Sequence, residues 1–252
     1  MARDRRNNPR VRRRSPVVKI EIWSDVVCPW CFVGKRRLET ALSTFEHAGD
    51  VEVVYRSFEL DPTAPHHGHE LSTGVIARKY GRPEAEMRQM QQQLIDVAAE
   101  EGLSMRLFDT VHTNTIDSHR LLHLALETGG PALQRELKEA LLSAYFESAA
   151  DVGDHDVLTG VATQVGLDEA RVREVLASEE YADAVSADIA QARAYGATGV
   201  PFFVVDEKYG VSGAQPAEVF SQVLDQAWTA SHPVLQMAGG DAEACGPDGC
   251  AI

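Results

Sequence analysis

The sequence predicts an α/β fold in which one strand-and-helix unit is interrupted by a long, purely helical insertion. Residues 17–60 alternate between β-rich and helical patterns, and residues 70–195 show helical periodicity alone. β character returns at residues 198–215, just before a final helix. We therefore expect a single α/β unit that is built from both ends of the chain.

The first part of this unit reads as strand, turn, helix and strand. The run VVKIEIWS, Val17 to Ser24, is β-rich and alternating, and the segment FVGKRRLETALSTF that follows has helical spacing. A second β-rich run, Asp50 to Leu60, is ended by Pro62 and Pro65. These elements predict a βαβ start.

The middle of the chain predicts helices only. Apolar residues recur at intervals of three and four, as at Met87, Met90, Leu94 and Val97. Glycine-containing breaks such as TGGP, residues 128–131, divide the stretch into roughly five or six helices. The methionines and aromatic residues here are most simply explained as core.

The last part predicts two short strands and a helix. TGVPFFVVDEKYGVSGAQ, Thr198 to Gln215, carries the strands, and Pro216 lies early in the helix that follows. We therefore divide the chain into a disordered basic arm (1–15), a discontinuous α/β domain (16–65 and 196–234), an inserted helical domain (66–195) and a flexible cysteine-containing tail (235–252).

Composition and charge limit the classes of function. The chain has 252 residues and a formal net charge of -14, which argues against nucleic acid as the main partner of the folded part. Seven arginines in the first fourteen residues form a separate arm that has too few apolar residues to bury a core. No run is long and apolar enough for a membrane span or a secretory signal, so we expect a cytoplasmic protein. In that compartment four cysteines indicate catalysis, metal binding or redox sensing.

The pair Cys28 and Cys31 is the candidate reactive site. It lies between the first strand and the first helix, where unpaired backbone N–H groups and the helix dipole lower a thiol pKa. Pro29 supplies a helical φ angle at the first turn, and Cys31 is close enough to form a small disulfide. We expect Cys28 to be the exposed nucleophile and Cys31 the shielded resolving thiol.

Several motifs together resemble the DsbA family of thioredoxin-fold oxidoreductases, and in detail its cytosolic FrnE-like branch. They are SDVVCPWCFVGKRRLE around the dithiol, NTIDSHRLLHLA at 114–125, YGATGVPFFVVDEKYGVSGAQP at 195–216 and the terminal CGPDGC. The resemblance covers nearly everything from Pro16 onward. It implies a thioredoxin fold with a large, all-helical, DsbA-like insertion.

The resemblance also implies roles for residues. Cys28 and Cys31 would be the redox pair, and the Val200–Pro201 peptide bond would be cis and lie beside them. The backbone of Val200 would then pair with an extended substrate segment. Pro29 and Trp30 are candidates for the docking surface next to the dithiol. His119 is a candidate for the same cleft, although a packed or helix-capping histidine is the favoured interpretation.

The implied activity is thiol–disulfide exchange on protein substrates, as reductase or isomerase, with no cofactor. The central Pro-Trp dipeptide lacks the histidine of DsbA itself, so a strongly oxidising role is not expected. We expect protein partners that carry disulfides or thiols, with glutathione or a thioredoxin-type reductant as candidates for resetting the pair. Neither nucleic acid nor a membrane is an expected partner, and a homodimer is left open.

A second pair, Cys245 and Cys250, flanks turn-forming residues near the end of the chain. One hypothesis is that it exchanges with Cys28 as a shuttle or lock; the alternatives are a metal clip and a passive tail. Zinc bound by all four cysteines and a metal site in HHGH, residues 66–69, are disfavoured, and no metal is expected.

Two other classes of function compete with the oxidoreductase. Kappa-class glutathione transferases and hydroxychromene-carboxylate isomerases resemble the same scaffold, but they have serine at the attacking position, where this chain has Cys28. A zinc- or redox-sensing binding protein is the third class.

Overall fold

A four-stranded mixed sheet forms the centre of the molecule. The computed structural model describes residues 18–233, so the predicted arm (1–15) and the tail with Cys245 and Cys250 lie outside it. The strand order is β2-β1-β3-β4. The bounds are β1 Val18–Ser24, β2 Val51–Ser57, β3 Phe202–Val205 and β4 Tyr209–Ser212.

The sheet joins the two ends of the chain. β1 pairs with β2 in parallel and with β3 antiparallel, and β3 pairs antiparallel with β4. A strand from the C-terminal part therefore lies directly beside the first strand. This arrangement confirms the predicted α/β fold with a helical insertion.

Alternation along β1 explains how the two faces of the sheet are covered. Ile20 and Ile22 are buried in a cluster with α1 (Pro29–Thr44) and α8 (Ala217–Ser231). Trp23 points to the opposite face, where its indole N–H donates to the Asp188 carbonyl at 2.7 Å. Side chains of a strand alternate between faces, so one short run serves both layers.

The insertion forms a second layer of helices within the described residues. Its helices are α2 Ser72–Tyr80, α3 Glu84–Glu100, α4 Ile116–Phe146, α5 His155–Gln164, α6 Glu169–Leu176 and α7 Ala182–Ala194. α4 is interrupted at Gly130, whose φ of 69° and ψ of -167° are not helical. The predicted break at TGGP is therefore present, although the chain resumes a helix immediately after it.

Side chains of the insertion complete the edge of the sheet. Gln134 of α4 accepts from the Tyr55 N–H and donates to the Tyr55 carbonyl, both at 2.9 Å. Asp188 of α7 accepts from the Ser57 N–H at 2.9 Å. These bonds fix the insertion against β2, and therefore against the end of β1 that leads to the dithiol.

Within residues 18–233, no helix has the length and apolar character that crossing a bilayer requires.

Candidate active site

The dithiol lies at the junction predicted from the sequence. β1 ends at Ser24, Cys28 is the N-cap residue of α1, and Pro29 is its first residue. The Cys31 N–H donates to the Cys28 carbonyl at 3.0 Å, which closes the first turn. The spacing of two residues therefore places both thiols at one helix N-terminus.

The expected difference in exposure between the two cysteines is wrong. Cys28 is only 4% exposed and Cys31 3% exposed. Cys28 is covered because the segment before β3 lies over it, and its thiol donates to the Val200 carbonyl at 3.5 Å. A substrate disulfide therefore has to reach Cys28 through the space beside Val200.

The Val200–Pro201 peptide bond is cis, in agreement with the prediction. The Pro201 carbonyl accepts from the Gly213 N–H at 2.8 Å, which fixes this segment to the start of the loop after β4. Helix α1 approaches it closely at Gly34, where an added Cβ would lie 3.1 Å from Pro201 Cγ. A glycine at this position lets the dithiol helix and the proline segment pack against each other.

A buried hydrogen bond between Asp25 and His119 lies behind the dithiol. Asp25 and His119 are both 0% exposed, and His119 Nε2–H donates to Asp25 Oδ1 at 3.3 Å. The second carboxylate oxygen accepts from the Leu60 N–H at 2.8 Å. Burial opposes ionisation, but His119, Leu60 and the Lys138 charge outweigh it and lower the pKa of Asp25. His119 is thus a packed histidine and is absent from the lining of the cleft.

Lys138 of α4 is a second buried charge near the dithiol. It is 0% exposed, and its ammonium donates to the Ser24 carbonyl at 3.3 Å. It also lies 5.7 Å from the centre of the Tyr55 ring. Burial lowers the pKa of Lys138 to about 8, against the opposing influence of Cys31 and Asp25.

The pKa of Cys31 is lowered and the pKa of Cys28 is raised, whereas the sequence predicts a lowered pKa at Cys28. Burial opposes ionisation of Cys31, but a hydrogen bond from Cys28, the charge of Lys138 and the Ser24 hydroxyl lower its pKa. The hydrogen bond to Cys31 and then burial raise the pKa of Cys28 well above its ordinary value. The pKa of each thiol depends on the state of the other, so the ionisation belongs to the pair.

A cavity of about 670 Å³ opens beside Cys28, between the dithiol and the helices of the insertion. Pro29, Trp30 and Val200 line it together with Cys28. Trp30 is 42% exposed, whereas Phe32 is fully buried in the helical core. Of the two aromatic residues beside the dithiol, Trp30 is therefore the one that a substrate can contact.

The histidine-rich segment lies apart from the dithiol. His66, His67 and His69 are exposed in the chain between β2 and α2. Among residues 18–233, no group of three or more His, Cys, Asp or Glu residues is arranged to hold a metal ion. Zinc bound by all four cysteines involves residues outside this range.

Sequence reasoning missed the buried charges and the cavity walls. Asp25 precedes Cys28 by three residues, but its distant partner His119 gives no local signal. Lys138 does give a local sequence signal, because it shares helical spacing with the apolar Leu141, Leu142 and Tyr145. A lysine in such a stripe is expected to be buried and to have a partner.

A dithiol at a helix N-terminus, a cis-proline segment against it and a mixed sheet with a helical insertion define a thioredoxin-like oxidoreductase class. The family model of the DSBA-like thioredoxin domain matches residues 19–225. The chain belongs to this family.

Solved and curated relatives agree with that assignment. A crystal structure of a probable DsbA oxidoreductase from Streptomyces coelicolor is 47% identical, with a TM-score of 0.80 over 93% of this chain and 99% of that one. The uncharacterized protein YwbO of Bacillus subtilis is 28% identical over 212 residues, 82% of this chain and 96% of its own. The cytosolic disulfide reductase DsbM from Pseudomonas aeruginosa, solved with GSH, shares the fold at 13% identity and a TM-score of 0.56, over 83% of this chain and 98% of its own.

Proposed function

We propose that this protein is a cytoplasmic thiol–disulfide oxidoreductase of the FrnE-like branch that reduces or isomerises protein disulfides through Cys28 and Cys31. The observation that carries the proposal is the position of the Cys28 thiol, at the N-terminus of α1 and directly against the Val200 carbonyl. An extended substrate segment that pairs with the Val200 backbone would bring its disulfide to this sulfur.

The reaction proceeds by two exchanges. The Cys28 thiol passes its proton to the Cys31 thiolate, and the Cys28 thiolate attacks one sulfur of the substrate disulfide. A mixed disulfide forms and the other substrate sulfur leaves as a thiolate. The Cys31 proton passes to the departed substrate thiolate, and the Cys31 thiolate then attacks Cys28 Sγ, which releases the second substrate thiolate and leaves the Cys28–Cys31 disulfide. Two electrons pass from the dithiol to the substrate.

The buried charges favour the reduced form of the pair. Lys138 lowers the pKa of Cys31, so it stabilises a thiolate that exists only when the dithiol is reduced. A pair that rests reduced attacks substrate disulfides, and it isomerises them when Cys31 does not resolve the mixed disulfide. Stabilising the reduced form raises the reduction potential of the pair, so it favours isomerisation, which starts from the reduced pair, and works against net reduction. The reductase direction is supported instead by the central Pro-Trp dipeptide, which lacks the histidine of DsbA itself.

Single-cysteine variants test the proposal. The reduced protein is mixed with scrambled ribonuclease, and recovered ribonuclease activity and intact masses are followed. We expect Cys28→Ser to lose all activity, whereas Cys31→Ser accumulates a mixed disulfide with the substrate. Equal activity of wild type and Cys28→Ser would show that the proposed nucleophile is wrong.

The second pair, Cys245 and Cys250, is proposed to exchange with the oxidised dithiol. Peptide mass mapping in a graded glutathione buffer should show its redox state shifting when Cys28 is replaced by serine. A pair that titrates identically in both proteins would be a passive one. The same glutathione buffer tests whether glutathione reduces the oxidised dithiol. Repeating it with and without chelator shows whether a zinc-bound form exists.

A further inference from the structure

The cavity beside Cys28, hereafter the Cys28 cavity, has the size and chemistry of a small-molecule site. Its volume of about 670 Å³ lies within the range of pockets that enclose drug-sized ligands. Its walls away from the dithiol are mainly apolar side chains of two helices, Val75 and Ile76 of α2 and Met87, Leu94 and Val97 of α3. This is the character of a preformed pocket for an apolar ligand.

The helical walls limit the class of molecule that can bind in the cavity. Backbone N–H and C=O groups within a helix are already bonded to each other, so α2 and α3 offer side chains but few backbone partners. A polypeptide backbone inserted between them would lose its hydrogen bonds to water without replacement, at a large cost in free energy. The cavity is also larger than any one side chain. An apolar molecule without a peptide backbone satisfies both constraints.

The charges around the Cys28 cavity disfavour an anionic ligand. Lys79 is the lysine in its lining, and its ammonium lies 3.8 Å from the Asp61 carboxylate. His112 Nε2 lies 3.5 Å from the same carboxylate. Asp25, also in the wall, is held by His119. Glutathione, whose two carboxylates outnumber its one ammonium, therefore finds no spare cation among these lining groups, while an uncharged ligand requires none.

We propose that the Cys28 cavity binds small, uncharged apolar disulfides and that the dithiol reduces them, a second substrate class beside proteins. The inference rests on the proposed thiol–disulfide chemistry. The Cys28 thiolate attacks one sulfur of RSSR, giving the Cys28–SR mixed disulfide and RS⁻. Cys31 thiolate then attacks Cys28 Sγ and expels the second RS⁻. The dithiol loses two electrons, and RSSR becomes two thiols once both thiolates take up protons.

Replacing Met90 changes the wall of the cavity and should leave the fold intact. Its side chain lines the cavity yet is 47% exposed, so Met90→Glu adds a carboxylate to the wall without burying it fully. Its neighbour Gln89 is exposed and does not line the cavity. Gln89→Glu therefore adds the same charge to the same helix on the outside and serves as the matched control.

The first measurement compares two chromogenic aryl disulfides in stopped flow. The uncharged reagent is 2,2′-dithiodipyridine and the dianionic one is 5,5′-dithiobis(2-nitrobenzoate); each rate is divided by that of dithiothreitol with the same reagent. All proteins carry Cys245→Ser and Cys250→Ser, so that only the dithiol reports. We expect saturation with the uncharged reagent and a loss of about tenfold or more in Met90→Glu but not in Gln89→Glu. Equal, non-saturating ratios for both reagents would overturn the proposal.

A second measurement tests ligand binding in the cavity independently of thiol–disulfide exchange. Binding of the uncharged fluorophore N-phenyl-1-naphthylamine is titrated in Cys28→Ser, alone and with Met90→Glu or Gln89→Glu. If the fluorophore binds and Met90→Glu weakens that binding, the ligand site is supported even when neither disulfide reagent reacts. In that case the proposed oxidoreductase function fails, and the site does not. Absence of binding overturns the site while leaving protein disulfide exchange intact.

Discussion

At the scale of single residues, the reactivity of the dithiol depends on charges that the protein has buried. Isolated ionised groups are costly in a protein interior, so each must be compensated by a neighbour. Asp25 is compensated by His119 and the Leu60 N–H. Lys138 has no carboxylate within ion-pair distance among the described residues, and the thiolate of Cys31 is the anion that it supports.

Replacing Lys138 should therefore raise the pKa of Cys31. In the Cys28→Ser protein, we expect Lys138→Met to move the midpoint of Cys31 alkylation against pH upward, because the supporting cation is lost. Since the pKa of Lys138 is about 8, this support fades in the parent protein above that pH. The measurement is alkylation rate with peptide mass readout.

Lys35→Met is the matched control for this change. Lys35 is also buried, but two carboxylates hold its ammonium, Glu39 of α1 and Glu139 of α4. Its loss should move the Cys31 midpoint much less than the loss of Lys138, because Lys35 acts on the pKa of Lys138 and is paired with carboxylates itself. An identical midpoint in Lys138→Met would contradict the role of Lys138.

At the scale of elements, a helix of the insertion substitutes for a missing neighbour strand. β2 is an edge strand, and Gln134 of α4 bonds both backbone groups of Tyr55 as a strand would. Unpaired edge groups that are buried cost free energy, and Gln134 is itself 1% exposed. The insertion is therefore part of the sheet's hydrogen bonding.

Gln134→Leu should lower the free energy of unfolding by about 2–4 kcal/mol, because it leaves a buried N–H and a buried carbonyl without partners. Urea denaturation followed by circular dichroism measures the change. Gln89→Leu, an exposed glutamine on α3, should change the stability by less than about 0.5 kcal/mol. Equal stability of Gln134→Leu and wild type would show that water replaces the side chain.

At the scale of the whole molecule, the Asp25 pair ties the sheet to the insertion and makes stability depend on pH. Asp25 precedes α1, whereas His119 belongs to α4. Because the folded-state pKa of Asp25 lies below its ordinary 3.8, its contribution is complete above that value. The contribution is lost as the pH falls through the folded-state pKa.

We therefore expect Asp25→Asn to flatten the loss of stability as the pH falls below about 4, at the cost of lower stability at neutral pH. Urea unfolding at stepped pH provides the measurement. Asp225→Asn, at an exposed position of α8, should retain the wild-type profile. If Asp25→Asn loses stability at low pH as the wild type does, the pH dependence arises from other carboxyl groups.

Local patterns were sufficient for the elements and for the dithiol. Alternation in β1, the helical spacing after Cys31 and the TGGP break all correspond to observed features, since each depends on residues a few positions apart. The motif resemblance placed the cis bond at Val200–Pro201. These features depend on residues that are close together in the sequence.

The sequence by itself determined the α/β order, the insertion and the position of Cys28 and Cys31 at a helix N-terminus. Only the tertiary structure decided that Cys28 is covered, that Lys138 lowers the pKa of Cys31 and that a cavity opens beside Cys28. Burial and electrostatics depend on groups far apart in the chain: Lys138 lies over a hundred residues from Cys31, and Val200 farther still. Such contacts carry no local periodicity, so they become visible only when the chain has folded.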